Sequence, residues 1–383
     1  MASVGSSEDR TEPAEEILPR AGRDVISFTD NLPERSQGLD LSPADAPLTS
    51  NWALAYLAHR LPGPTPSQVD VMRFPRGVSR ETWRLTALWP DGQRKRFAIR
   101  RNLASVSVDG IPIEREFQIY SRLAQTKIPI AKALWFEDDP ECRPGGRLFY
   151  VRDWIDGDWR IPGFEDSDPA KDDLRIAASK EHLGALARVH ACDWRGLRLD
   201  ELLPVPKSPE RAAREMIERY EQRVLEFRLE PLPLVTEAIA RLKARTPKST
   251  GDLCLCKGTN GLGEEVWRDG RIVAMSDWEL AEIADPAFDF AQLQGLVPEI
   301  PGRWGLKSAL DYYHGLTGRH IRPEQIEFYR AVYCIQQIAY ASHSASAIHR
   351  DEDNLVRLCW LGTEVLHKGV DQLARYVGLV RGG

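Results

Sequence analysis

The feature that most constrains this chain is a change of hydrophobic period near Asp153. Before it, apolar residues alternate: Trp83, Leu85, Ala87 and Trp89 take every second position of Thr82–Trp89. Pro90-Asp91-Gly92 then supplies turn chemistry, and Arg96–Arg100 reads as the returning strand of a β-hairpin. Two more strands are expected at Ala133–Glu137 and Arg147–Asp153. One helix lies between the pairs, at about 112–125, where Ile113, Phe117, Tyr120 and Leu123 keep the 3.6-residue spacing. After Trp154 the helical period dominates and predicts helices at about 178–192, 209–229, 233–244, 305–317, 323–348 and 351–376. They are interrupted by a short β island, Leu253–Cys256, Glu265–Trp267 and Arg271–Met275, the last two joined at Asp269-Gly270. A leading helix follows from Leu54, Leu57 and Leu61 and is stopped by Pro62-Gly63-Pro64.

This order predicts an α+β fold of two lobes. The expected division is a flexible arm over 1–45, a β-rich N-lobe over 46–153 and a helical C-lobe over 154–383, with the polar island at 252–290 facing the cleft between them. Such a cleft is the natural place for a ligand.

Lys and Arg number 51 against 57 Asp and Glu, a net charge of −6. No global positive field is available to draw in nucleic acid or an anionic membrane, so a small-molecule substrate is the expected partner, with neither nucleic acid nor membrane. The six cysteines form no C-x-x-C pair, and neither a disulfide framework nor a structural zinc site is expected. The polar, acidic start MASVGSSEDRTEPAEE has no apolar signal core, which predicts a cytoplasmic protein. The long uncharged run Ala331–His349 contains Gln336 and Gln337 and reads as a core helix, not a membrane span.

Three segments carry candidate chemistry. Arg76-Gly77-Val78-Ser79-Arg80-Glu81-Thr82 places a glycine and hydroxyls just before a strand, where backbone can wrap a phosphate. Arg100 and Arg101 end the next strand, and Glu116 on the following helix can pair with one of them. The stretch from Cys256 to Glu279 reads as strand, glycine-rich loop, strand, turn, strand, and then Asp277, a carboxylate suited to Mg²⁺. Glu264 and Glu265 are further carboxylates on the same island.

Ser276-Asp277-Trp278-Glu279-Leu280-Ala281-Glu282-Ile283-Ala284-Asp285-Pro286-Ala287-Phe288-Asp289-Phe290-Ala291 resembles the D-W-E-x-A-x-x-G-D-P-x-x-D-L-A segment of the aminoglycoside phosphotransferase and choline kinase-like family, with Ala284 where glycine is usual. Gly77-Val78-Ser79-Arg80-Glu81-Thr82, Ala98-Ile99-Arg100-Arg101, Arg115-Glu116-Phe117 and Leu186-Ala187-Arg188-Val189-His190 resemble other family segments in the same order. The likeness runs from about Trp52 to the end of the chain. It implies a two-lobed protein-kinase-like fold that uses ATP, or another nucleoside triphosphate, and Mg²⁺ to phosphorylate a hydroxyl. By the same resemblance, Gly77, Ser79, Arg80 and Thr82 would cover the phosphates, with Arg100 as their cation and Glu116 as its partner. Asp153, Trp154 and Ile155 would form the hinge at the base, Asp277 would bind the metal, and Asp289 would brace the catalytic loop; Glu264, where the family has Asn, is a carboxylate that could still hold Mg²⁺.

The chain departs from the family where the chemistry is densest. The family loop reads H-G-D-x-x-x-x-N, and this chain has Lys257-Gly258-Thr259 and then Glu264. A threonine cannot accept a proton near neutral pH, so the usual base is missing from the candidate catalytic set Lys257, Thr259, Glu264 and Asp277. Glu265 is the other carboxylate to weigh as a base. Positioned proton transfer is worth about 10² to 10⁴-fold, whereas phosphoryl transfer depends mainly on alignment and charge stabilisation. Two readings follow: a phosphotransferase with a non-standard loop, and a pseudokinase that binds nucleotide or metabolite and works through a partner.

Overall fold

The computed structural model describes residues 46–74, 79–103, 112–247, 251–260, 263–293, 295–350 and 356–379. The arm over 1–45 and Gly77 of the phosphate loop lie outside the described residues.

The N-lobe begins with α1 (Ser50–Arg60), which starts four residues earlier than its leucine spacing implies because the Thr49 hydroxyl accepts from the Trp52 amide at 3.2 Å. Such a cap is worth about 1 kcal/mol. Strands β1 (Gln68–Phe74), β2 (Arg80–Leu88), β3 (Arg94–Asn102), β4 (Ala133–Glu137) and β5 (Phe149–Asp153) form one antiparallel sheet in the order β1-β2-β3-β5-β4. β1 was not expected from the sequence. It is an edge strand in which only Val69 is fully buried, so its alternation is weak. The inner faces of β2, β3 and β5 send Trp83, Leu85, Phe97, Ile99, Phe149 and Val151 into a core closed by Tyr56 and Leu57 of α1. Helix α2 (Ile113–Leu123) covers the opposite face, burying Ile119, Tyr120 and, unusually, Glu116.

The C-lobe holds α3 (Asp172–His190), α4 (Pro209–Phe227), α5 (Pro233–Ala244), α6 (Ala287–Ala291), α7 (Leu306–Thr317), α8 (Pro323–His349), α9 (Val356–Trp360) and α10 (Leu366–Tyr376). Helix α3 starts six residues before the expected boundary. The single helix expected over 351–376 is continuous over 356–376 but carries a π-helical segment, Leu361–Val365, between α9 and α10, and 351–355 lie outside the described residues. Gly362 there approaches Ala345 of α8 so closely that an added Cβ would lie 2.9 Å from its backbone. Tyr329, Ile335, Ile338 and Ala339 of α8 are buried in the helical core, and α8 packs against α4, α6 and α10.

Between the helices lies the expected β island: β6 (Cys254–Cys256), β7 (Glu265–Arg268) and β8 (Arg271–Met275), joined by an unexpected three-residue strand, β9 (Glu282–Ala284), that pairs with β6. The lobe connection is pinned to the island, because Asp158 and Trp267 exchange backbone hydrogen bonds of 2.8 and 2.6 Å. Gly157 beside it allows this approach; a Cβ there would sit 2.5 Å from the Trp267 carbonyl oxygen. The α+β, two-lobed arrangement is therefore as expected. No helix among the described residues is long and apolar enough to cross a membrane.

Candidate functional site

Strand β3 alternates, so Ile99 faces the core of α1 while Arg100 points to the other face, toward α2. There its guanidinium lies 3.5 Å from Oε1 of Glu116 and 3.9 Å from Oδ1 of Asp277, and it donates to the Thr82 hydroxyl at 3.0 Å. Glu116 is fully buried and also accepts from the Tyr150 hydroxyl at 2.8 Å and faces Arg80 at 3.8 Å. The Arg100 guanidinium is held well above its usual pKa: burial opposes the charge, but Glu116, Tyr150, Glu279 and Asp277 outweigh it. Neither residue is a solvated surface charge. Arg100 keeps 12% side-chain exposure and Asp277 27%, so the pair opens toward solvent while Glu116 stays behind it.

Arg101 points the other way and is not at the site. It is fully buried, bonded to Glu81 at 2.6 and 2.8 Å, within a cluster that includes Arg73 and Arg147. Arg80 is likewise turned inward, beside Glu116, whereas Ser79 faces the second lobe: its hydroxyl lies 2.8 Å from both carboxylate oxygens of Glu279. The end of the phosphate loop is thus tied to the Asp277 segment. Glu279 belongs to the quoted D-W-E motif, but nothing in the sequence pointed to its tie to Ser79.

At the hinge, Asp153 ends β5 and lies 3.9 Å from Lys95, and the Trp154 amide donates to the Arg96 carbonyl at 3.4 Å. The Trp154 ring stacks on Phe74 at 5.3 Å between centroids, and Ile155 follows half-buried. Phe74 ends β1, so recognising this pair required the strand that sequence reasoning missed.

The loop after β6 is organised by Asp289 of α6. Its carboxylate accepts from the amides of Lys257 (2.7 Å) and Gly258 (2.9 Å), from Nδ2 of Asn260 (2.8 Å), and contacts Nε2 of His190 (2.9 Å). Burial pushes the Asp289 pKa up, but His190 and the two amides more than compensate and hold it below the ordinary range. Gly258 sits at φ +80°, and a Cβ there would fall 1.9 Å from the Leu280 carbonyl oxygen. The fully buried Lys257 ammonium turns back on its own loop, donating to the Thr259 carbonyl and hydroxyl. Thr259 in turn donates to the Asp277 carbonyl at 2.5 Å. Asp277 adopts φ +64°, a left-handed conformation that costs a non-glycine residue about 1 kcal/mol and occurs where surroundings enforce it. No helix follows it directly, so it is not a helix cap.

Glu264 and Asp277 share the mouth of this loop. Burial and then the Asp277 charge push the Glu264 carboxyl up to about 8, with Lys257 partly offsetting them. Two carboxylates that interact in this way are hard oxygen donors of the kind a divalent cation such as Mg²⁺ takes. Glu265 is not there: strand alternation turns it into the interior, 1% exposed and 3.4 Å from His182 of α3. Burial pushes that carboxyl up to about 7 and the imidazole down to about 3, so the imidazole is neutral and the contact is not a salt bridge. Glu265 therefore cannot serve as the base in place of Thr259.

A groove of about 740 Å³ along α3 and α7, bordered by Lys180, Gly184, Arg188 and Arg271, contains none of these residues. The converging charges, not the depth of a cavity, mark the site.

Comparison with known proteins agrees with this fold. A profile described as "Phosphotransferase enzyme family" matches residues 70–323. Among curated proteins, "Acyl-CoA dehydrogenase family member 11" of Mus musculus is 26% identical over 251 residues, covering 62% of this chain and 30% of that protein. The protein of the same name from Rattus norvegicus is 26% identical over 187 residues, 47% of this chain and 22% of its own length. The chain thus matches less than a third of either relative. Among solved structures, an aminoglycoside phosphotransferase-like protein from Ralstonia eutropha JMP134 superposes with a TM-score of 0.64 at 18% identity, covering 87% of this chain and 99% of its own. Aminoglycoside phosphotransferase APH(4)-Ia, in ternary complex with ADP and hygromycin B, gives 0.56 at 12% identity over 86% and 99%. A macrolide 2′-phosphotransferase from Brachybacterium faecium gives 0.52 at 19% identity over 81% and 97%. At these identities the structures establish the fold.

Proposed function

Because this chain belongs to the phosphotransferase enzyme family, we propose that it transfers a phosphoryl group from ATP, with Mg²⁺, to a hydroxyl of a small metabolite. The observation that carries this reading is Arg100, held between the buried Glu116 and the partly exposed Asp277. A guanidinium fixed from behind and open in front is built to hold an anion, and a triphosphate is the anion a kinase-like cleft takes. ADP and AMP-PNP in the APH(4)-Ia complexes support nucleotide use by this fold.

Asp277 and Glu264 would hold the metal, which supplies neutralisation of phosphate charge when bound. The rest falls to the protein's own side chains. Arg100 orients the phosphates and counters charge as it develops. The Ser79–Glu279 contact keeps the phosphate loop in register with Asp277. Asp289 fixes the loop backbone so that Lys257, in the place of the family's histidine, stays inside it. The position of the usual base is filled by Thr259, whose hydroxyl is already donated to Asp277. Catalysis would then rest on alignment and charge stabilisation, which matter most for a loose transition state.

The same observation at Thr259 supports a second reading, a nucleotide-binding pseudokinase acting through a partner. An ADP-release assay over pooled hydroxyl metabolites separates the two. Release by wild type and none by Asp277→Ala supports transfer; a nucleotide-binding protein that releases no ADP with any pool supports the pseudokinase.

A further inference from the structure

Behind the loop lies a group of side chains that the phosphotransferase reading does not use. One ligand atom each from His190, Cys254 and Cys256 lies within 4.8 Å of the others, and all three residues are buried. The cysteines stand two apart on β6, so their thiols share one face, with the sulfurs 3.8 Å apart. Tetrahedral zinc with Zn–S bonds of about 2.3 Å requires a sulfur separation of ~3.8 Å. The imidazole is already oriented as metal-bound histidines are: Nε2 faces the Asp289 carboxylate at 2.9 Å, leaving Nδ1 for a ligand. Nδ1 now lies 2.6 Å from the Tyr313 hydroxyl, which a cation bound at that nitrogen would displace.

We propose that Cys254, Cys256 and Nδ1 of His190 form a structural site for a zinc-class divalent cation. Binding releases both thiol protons, and two thiolates with a neutral imidazole cancel the 2+ charge. A neutral assembly is what a dry interior tolerates; a monovalent cation such as Cu⁺ would leave an uncompensated negative charge. Burial does not bar entry, since a structural site fills as the chain folds. Asp289 connects this site to the loop, because the carboxylate that orients His190 also holds the amides of Lys257 and Gly258. Cysteine spacing alone gives no sign of it. The third ligand comes from α3, far along the chain.

The test is elemental mass spectrometry of protein purified without chelators, and of protein refolded with excess Zn²⁺ or Co²⁺. Stoichiometric zinc, and thiolate-to-cobalt charge-transfer absorption in the Co²⁺ form, are expected. Both should be lost in Cys254→Ser/Cys256→Ser and kept in Cys359→Ser, whose thiol is exposed. Should the double variant fail to fold, an organomercurial added to native wild type must release zinc as the buried thiols react. Wild type that takes up no stoichiometric zinc on refolding, or zinc that survives thiol modification or the double substitution, overturns the assignment.

Discussion

Replacing Glu265 by Gln should stabilise the protein at alkaline pH and change little in mild acid. The carboxyl is 1% exposed, neither of its oxygens accepts a hydrogen bond among the described residues, and burial raises it from an ordinary 4.5 to about 7. The folded state therefore prefers the protonated form. The stability linked to this group is whole below about pH 4.5 and is lost as pH rises through about 7. The gap between 4.5 and about 7 corresponds to roughly 3 kcal/mol above neutral pH. Glutamine keeps the size and neutrality of the protonated acid, so Glu265→Gln should recover most of that amount at about pH 8.5 and little near pH 5. Urea unfolding of both proteins at the two pH values measures it. An alkaline destabilisation of the variant would refute the reasoning, because it would mean that ionised Glu265 is a favourable partner of Lys257 or His182. An unchanged pH dependence would equally refute it.

Three further outcomes follow from the site. Arg100→Gln should weaken ATP binding about 10 to 100-fold, the worth of one charge-assisted contact, in isothermal titration at fixed Mg²⁺. Gly258→Ala should lower stability by about 2–4 kcal/mol in thermal unfolding, from crowding against the Leu280 carbonyl oxygen and the left-handed backbone together. Thr259→Asp combined with Glu264→Asn, which restores the family's base and amide, should raise turnover about 10² to 10⁴-fold over wild type on any acceptor that gives measurable ADP release.

Periodicity carried most of the fold. The β2–β3 hairpin and the α4 and α5 helices lie close to where apolar spacing puts them, because each buries one continuous face, whereas α8, buried nearly all round, is marked by its long uncharged run. It failed where that cause is absent. Edge strand β1 buries one residue fully, β9 is three residues long, and the π-helical segment Leu361–Val365, where Gly362 lies close to Ala345 of α8, leaves the helical period of its flanks unchanged. The site divides in the same way. Arg100, Glu116 and Asp277 could be named because motif order brings them together, and the structure places them within 3.9 Å contacts. The Ser79–Glu279 tie, the Phe74–Trp154 stack and the inward turn of Arg101 and Glu265 depend on which face of a strand or loop meets the other lobe. Spacing along the chain does not encode that.

The central claim is that Arg100, Glu116 and Asp277 still form a working nucleotide site beside an altered loop. Isothermal titration of wild type and Asp277→Ala with ATP, each with and without Mg²⁺, tests it directly. The account predicts ATP binding that Mg²⁺ strengthens in wild type, and loss of that Mg²⁺ dependence in the variant. Absence of binding to wild type at millimolar ATP, or a Mg²⁺ effect unchanged in Asp277→Ala, would contradict it.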